Sequence, residues 1–225
     1  MSDPRDRVKK LAGESLDRGD PTGWFDALYR EARRDASAIP WADLRPTPAV
    51  ADWLDREPPA PGARAIVVGC GLGDDALLVA RRGLPTTAFD VSETAVAWCR
   101  DRFPEAPVVW VVADLFAAPA PWAQAFDLVI EVNTLQALPL ALRPRAIEAV
   151  ASLVAPGGAC LVVGRLRDDE VPPALVPGPP WPLSRGDLAG FQAAGLVADP
   201  ILDAVDGEGV GRVRVVQRRP ATAAP

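Results

Sequence analysis

The sequence predicts a doubly wound α/β fold: a seven-stranded, mostly parallel sheet with an antiparallel last strand, preceded by a helical N-terminal lid. Three observations predict it. Beyond residue 64, short apolar runs alternate with stretches of helical composition, the pattern of a parallel sheet covered on both faces. The first run, Ala65-Ile66-Val67-Val68, passes directly into Gly69-Cys70-Gly71-Leu72-Gly73, where glycine permits a tight turn and close approach of a ligand to the backbone. Finally, runs at 197–205 and 212–217 flank Asp206-Gly207-Glu208-Gly209, a connection too short for a parallel crossover, so this pair must be antiparallel.

The elements follow in order. Residues 4–18 have helical composition, and Asp20-Pro21-Thr22-Gly23 interrupts them before a second helix at 24–34. There Trp24, Leu28 and Ala32 share a face by their i, i+4 spacing. A connector at 36–45 contains Ile39-Pro40-Trp41, where proline restricts itself and the residue before it. Thr47-Pro48 opens a helix through Leu54, with proline at a first-turn position, and Glu57-Pro58-Pro59-Ala60-Pro61-Gly62 ends it.

A strand at 65–68, a helix at 74–82 and a strand at 86–89 ending at Asp90 come next. Ser92 reads as the N-cap of a helix running to about Phe103. Strands are expected at 108–112, ending at Asp114, and at 126–132, after a proline-interrupted stretch with Trp122. A helix at 143–154 turns through Ala155-Pro156-Gly157-Gly158 into a strand at 160–164. The proline-rich loop 171–182 contains Gly178-Pro179-Pro180-Trp181-Pro182. Ser184-Arg185-Gly186-Asp187 resembles a capping box with Asp in place of Glu, opening a helix to Gly195. Residues 1–45 thus divide as a helical extension from the main domain, 46–225.

Composition narrows the function. A chain of 225 residues with 49% apolar and 24% charged residues suits one soluble α/β domain with a small appendage. A net charge of −6, with Lys9 and Lys10 the only lysines, argues against holding nucleic acid through a general positive field. Cys70, Cys99 and Cys160 are odd in number, lie in apolar stretches and lack metal-ligand spacing, as expected of reduced thiols in the cytoplasm. The charged start lacks a signal-peptide core, and no apolar run reaches bilayer length, so no membrane partner is expected. The chain has no histidine, which removes Ser-His-Asp and Cys-His catalysis, His-ligated metals and a histidine base together.

Two ligand classes compete for the glycine loop. Gly71-x-Gly73-x-x-Ala76 fits the fingerprint of dinucleotide binders, and Gly69-x-Gly71-x-Gly73 the looser pattern of S-adenosylmethionine binders. Asp90, at the end of the second strand, suits ribose hydroxyls in either class. Three later features discriminate: Asp114 after the third strand, Glu131-Val132-Asn133 at the end of the fourth, and the closing antiparallel hairpin.

With these residues the chain resembles the Rossmann-like class I S-adenosylmethionine-dependent methyltransferases, over roughly residues 46–219. The resemblance implies that Gly69, Cys70, Gly71 and Gly73 line the methionine and ribose parts of S-adenosyl-L-methionine. Asp90 would hold the ribose hydroxyls, Val91 would pack on adenine, and Asp114 with the Leu115 backbone would read the adenine edge. Glu131 would stand near the methionine moiety or the acceptor. Val68-Gly69-Cys70-Gly71 and Ile39-Pro40-Trp41 look like the small-molecule branch that includes thiopurine and other thiol methyltransferases and the tellurite-resistance methyltransferases. Two departures stand out: Val67 occupies a position where many class I enzymes have an acid, and Val68 one where the thiol methyltransferases commonly have proline.

The expected chemistry is therefore methyl transfer to a small molecule, with a thiol favoured by the lack of histidine. O- or N-methylation assisted by Glu131, Asp74 or Tyr29 is the alternative, as is a non-catalytic S-adenosylmethionine-binding module. Trp24, Trp41 and Trp181 are expected to supply aromatic walls for the site, Trp41 on the cofactor side, and Arg45 is expected to contact an anionic substrate group. Asp75 is expected to cap the helix it opens.

Overall fold

The computed structural model describes residues 3–172, 175–176, 178–205 and 209–222. Residues 206–208 of the expected hairpin turn lie outside these. Three helices precede the sheet: α1 (Pro4–Asp17), α2 (Gly23–Ala32) and α3 (Pro48–Arg56). The main domain then runs β1 (Ala65–Val68), α4 (Asp74–Arg81), β2 (Thr86–Asp90), α5 (Glu93–Arg102), β3 (Val108–Val112) and β4 (Phe126–Val132). It continues through α6 (Thr134–Ala137), α7 (Arg143–Leu153), β5 (Val154–Arg165) and α8 (Arg185–Ala193). The strands β6 (Val197–Ala198), β7 (Leu202–Val205) and β8 (Gly211–Arg218) close it.

The sheet order is β3-β2-β1-β4-β5-β8-β6, with β7 also on β8. Strands β1 to β5 are mutually parallel, and β8 is antiparallel to β5. Strand order reverses between β1 and β4, so the carboxyl ends of those two strands flank the crevice where open α/β sheets bind ligands.

Two expectations about strands are refined. The run 197–205 is interrupted: Ala198 pairs with Gln217 and Leu202 with Arg214, four steps on one strand against three on the other. Pro200 sits in that bulge, where its missing N–H is not needed. β6 and β7 therefore act as one broken edge strand. At the other end, β5 begins at Val154 rather than Cys160, because the expected turn is a bulge between the Phe126–Val154 and Leu128–Ala159 pairs. Arg219 fastens it by donating from Nε to the Val154 carbonyl at 2.8 Å.

Burial follows the strand alternation. One face of the sheet packs Leu135, Ile147, Val150, Leu188 and Phe191 from α6, α7 and α8. The other packs Val50, Trp53 and Leu54 from α3 with Ala76 and Val79 from α4. A third cluster joins Val8 and Leu11 of α1 and Trp24, Leu28 and Ala32 of α2 to Ala95 and Trp98 of α5 and to Leu72 of the glycine loop. The extension is thus fused by apolar burial to the loop it covers. Among the described residues no helix is long and apolar enough to cross a membrane.

Candidate active site

The glycine loop leaves β1 in the left-handed region, with Gly69 at φ 57° and Gly71 at φ 53°, where L side chains are rarely found. A Cβ on Gly69 would stand 2.8 Å from Thr134 Cγ2, and one on Gly71 would stand 3.2 Å from Tyr29 Oη. Thr134 closes Gly69 to any side chain, whereas at Gly71 the positive φ disfavours one and Tyr29 would have to give by only a few tenths of an ångström. Thr134 also donates from Oγ1 to the Val68 carbonyl at 3.0 Å. Trp41 donates from Nε1 to Tyr29 Oη at 2.9 Å.

Asp90 anchors the loop. Its Oδ2 accepts from the Gly71 amide at 3.0 Å and its Oδ1 from the Ser92 amide at 2.9 Å. Ser92 caps α5 by accepting from the Ala95 amide at 3.0 Å, and donates to Asp26 Oδ1 at 2.8 Å. Asp26, on α2, also accepts from the Thr94 amide at 3.0 Å, which ties the extension to α5. Burial pushes the Asp90 carboxyl up to about 6, against the opposing effect of the Ser92 and Gly71 amides.

Other expected residues sit as follows. Val91 is half-buried and Leu115 buried beside the end of the sheet. Asp114 is exposed and accepts from the Phe116 amide at 2.8 Å. Trp181 is half-buried, its amide donating to the Gln136 carbonyl at 2.6 Å. Arg45 is exposed. Val67 is buried on β1 between Ala88 and Ile130, so the missing acid has no substitute at that position.

A family model described as a methyltransferase domain matches residues 65–158, from β1 into β5. A probable thiol methyltransferase 2 from Arabidopsis thaliana is 26% identical over 88% of this chain and 84% of its own length. Among solved structures, one described for the conversion of a disulfide bond into a thioacetal group during echinomycin biosynthesis aligns with TM-score 0.72. It is 22% identical and covers 90% of this chain and 94% of the other. A TehB-like SAM-dependent methyltransferase from Corynebacterium glutamicum aligns with TM-score 0.61 at 19% identity, over 86% of this chain and 97% of the other. The chain is an S-adenosylmethionine-dependent methyltransferase. At these identities the two solved structures speak for its fold alone.

The site of this methyltransferase fits its cofactor. Each Asp90 oxygen receives one amide, which leaves a further acceptor position on each for a pair of hydroxyls. The half-buried Gly71 backbone carries no Cβ beneath Tyr29 Oη and Trp41 Nε1, so any ligand at Gly71 meets the backbone directly and those two polar atoms beside it.

Several expected roles require correction. Glu131 was expected beside the methionine moiety or the acceptor; instead its side chain is fully buried beneath α6, with Oε1 accepting from the Leu135 amide at 2.8 Å and Oε2 without a partner. It points to the same sheet face as Val129 and fixes α6, and with it Thr134 behind Gly69, so it is a positioning residue. Tyr29 is buried, and burial followed by the nearby Asp90 charge pushes its phenol well above the ordinary range, so it stays protonated near neutrality. Asp74 is held by Arg102 at 2.7 and 2.9 Å. Trp24 is 1% exposed inside the helical cluster, stacked on Phe25, and offers no ligand-facing wall. Asp75 does not cap its own helix; it accepts from the Thr47 amide at 2.7 Å and Oγ1 at 2.9 Å, and so holds the start of α3.

Sequence reasoning missed Asp26, Thr134, Gln136 and Arg143. Arg143 had a legible signal: it lies in register with Ala146, Ile147 and Val150, a charge on an otherwise apolar stripe. It is 1% exposed and donates to Asp187 Oδ2 at 3.0 Å and to the Trp181 carbonyl at 2.8 Å. Asp26 and Thr134 carried no such mark, because their partners are distant in sequence.

Glu131 yields a stability prediction. Burial lifts its carboxyl from an ordinary 4.5 to about 7, against the Leu135 and Thr134 amides and the Arg143 charge. A raised carboxyl favours the fold at low pH, and that contribution is lost as pH rises through about 7. Wild-type stability should fall by about 3 kcal/mol between pH 5 and 8.5 from this group, and Glu131→Gln should flatten the fall. Urea unfolding midpoints at the two pH values read the difference.

Proposed function

We propose that this methyltransferase moves the methyl group of S-adenosylmethionine to a small-molecule thiol. One observation carries the reading: the chain presents a pre-shaped corner for the cofactor while its candidate bases are buried or occupied. When bound, the cofactor supplies an electrophilic methyl carbon, so the protein need only align a nucleophile and exclude water.

In this reading the backbone of Gly69, Cys70, Gly71 and Gly73 lines the methionine and ribose parts. Asp90 accepts from the ribose hydroxyls, Val91 and Trp41 cover the ring systems, and Asp114 with the Leu115 amide reads the adenine edge. The Cys99 thiol, then burial, push the Cys70 thiol well above its ordinary range, which suits a packing role in the loop. Glu131, Tyr29 and Asp74 supply no accessible base, so a nucleophile that ionises by itself near neutrality is the best match. A thiol does so more readily than an alcohol. The relative named a probable thiol methyltransferase supports the same assignment. Residues 1–45 act as a cover over the site in 46–225, with Tyr29 and Trp41 closing over Gly71. The unpaired thiols of Cys70, Cys99 and Cys160 support a cytoplasmic setting.

Three outcomes test this. Calorimetric titration should give one S-adenosylhomocysteine site per chain, and Asp90→Asn should weaken it by about 1.5–3 kcal/mol. Because ribose hydroxyls donate to the ionised carboxylate, wild-type affinity should be full above pH 7 and fall as pH drops through about 6. Among matched aryl thiol, phenol and aniline acceptors, only the thiol should turn over readily near pH 7.5. Turnover of the aniline alone contradicts the thiol assignment, and binding without any turnover favours a non-catalytic module. Trypsin cleavage at the exposed Arg33 and Arg34 should slow severalfold when S-adenosylhomocysteine saturates the protein, and unchanged cleavage argues against the cover.

A further inference from the structure

A cavity opens beside the carboxyl end of β5. It measures about 330 Å³ and lies between α1, the end of β5 and the segment leading to Trp181. Among the described residues that line it, Lys9, Arg165 and Arg167 are cationic and none is acidic, while Leu175, Pro180 and Pro182 supply apolar walls. That is unusual in a chain with net charge −6 and two lysines. The general field of the protein repels anions, so a local group of three cations at a concave site marks a place where one is accepted.

The cavity is connected to the cofactor corner. Thr134, which fills the space behind Gly69, starts α6, and Gln136 on the same turn accepts from the Arg165 amide at 2.6 Å through Oε1. The Gln136 carbonyl accepts from the Trp181 amide, also at 2.6 Å. Arg167 is held by the Asp168 and Val171 carbonyls at 3.2 and 3.4 Å. Its Nη2 lies 3.9 Å from Asp187, but that carboxylate is shared with Arg143 at 3.0 Å and the Ser184 amide at 2.9 Å. The Arg167 Nε is buried and has no partner.

We propose that the thiol acceptor also carries a carboxylate, with that acidic group held by Lys9, Arg165 and Arg167 and its apolar body against the proline walls of this cavity. The assignment rests on the methyl-transfer reading above and adds the acceptor's charge and size. The volume is at the small end of ligand pockets, enough for an aryl or branched acid. Charge-assisted bonds from guanidinium and ammonium groups would select the ionised acid over a neutral isostere.

Binding of 2-naphthoate and of 2-naphthamide, measured by ligand-observed NMR with and without saturating S-adenosylhomocysteine, tests it apart from turnover. The carboxylate should bind about tenfold more tightly than the amide. Lys9→Gln, at an exposed position of α1, and Arg167→Gln should each reduce that preference about threefold or more while leaving S-adenosylhomocysteine affinity unchanged. Equal binding of acid and amide, or a preference untouched by both variants, overturns the proposal. A carboxylate preference in a protein that does not bind S-adenosylhomocysteine overturns the methyl-transfer reading and leaves the cavity as an anion site.

Discussion

The site depends on one buried carboxylate. Asp90 sits at the carboxyl end of β2, where burial penalises its charge, and it is kept there by the amides of Gly71 and Ser92. Through the first it sets the turn of the glycine loop, and through the second the start of α5. Ser92 passes the constraint to Asp26 and so to the N-terminal helices, which return over the loop with Tyr29 above Gly71. A residue that would be expensive as a mere structural acid becomes economical once a ligand with two hydroxyl donors completes its shell.

Much of the fold was legible because the main domain obeys local rules. Continuous apolar strands, the glycine loop, the Ser92 cap and the Ser184–Asp187 capping box all appear where the pattern places them. Differences arise where long-range pairing overrides the local signal. Pro200 breaks one edge strand into β6 and β7, and residues read as a turn at 155–158 form a bulge held by Arg219. The four-residue α6 is too short for periodicity to announce, and it depends on Glu131 beneath it.

The site was legible in part for the same reason. Positions after strand ends could be named from sequence, yet which way their side chains turn could not. Strand alternation sends Glu131 into the face covered by α7, away from the crevice, and Trp24 follows Leu28 and Ala32 into the helical core. Arg143 stood out as a charge on an apolar stripe, but its partners, the Asp187 carboxylate and the Trp181 carbonyl, lie about forty positions away, where no local pattern could name them. In the proposed reading these groups border the acceptor side, while the cofactor side is written in contiguous motifs.

The central claim, that the Gly71–Asp90 corner is the cofactor's seat, is tested most directly by a crystal structure of the complex with S-adenosylhomocysteine. Both ribose hydroxyls should donate to the Asp90 carboxylate, with the methionine part over Gly69 to Gly71 and the adenine beside Val91 and Asp114. A ligand bound elsewhere, or an Asp90 that contacts only the Gly71 and Ser92 amides in the complex, would contradict it.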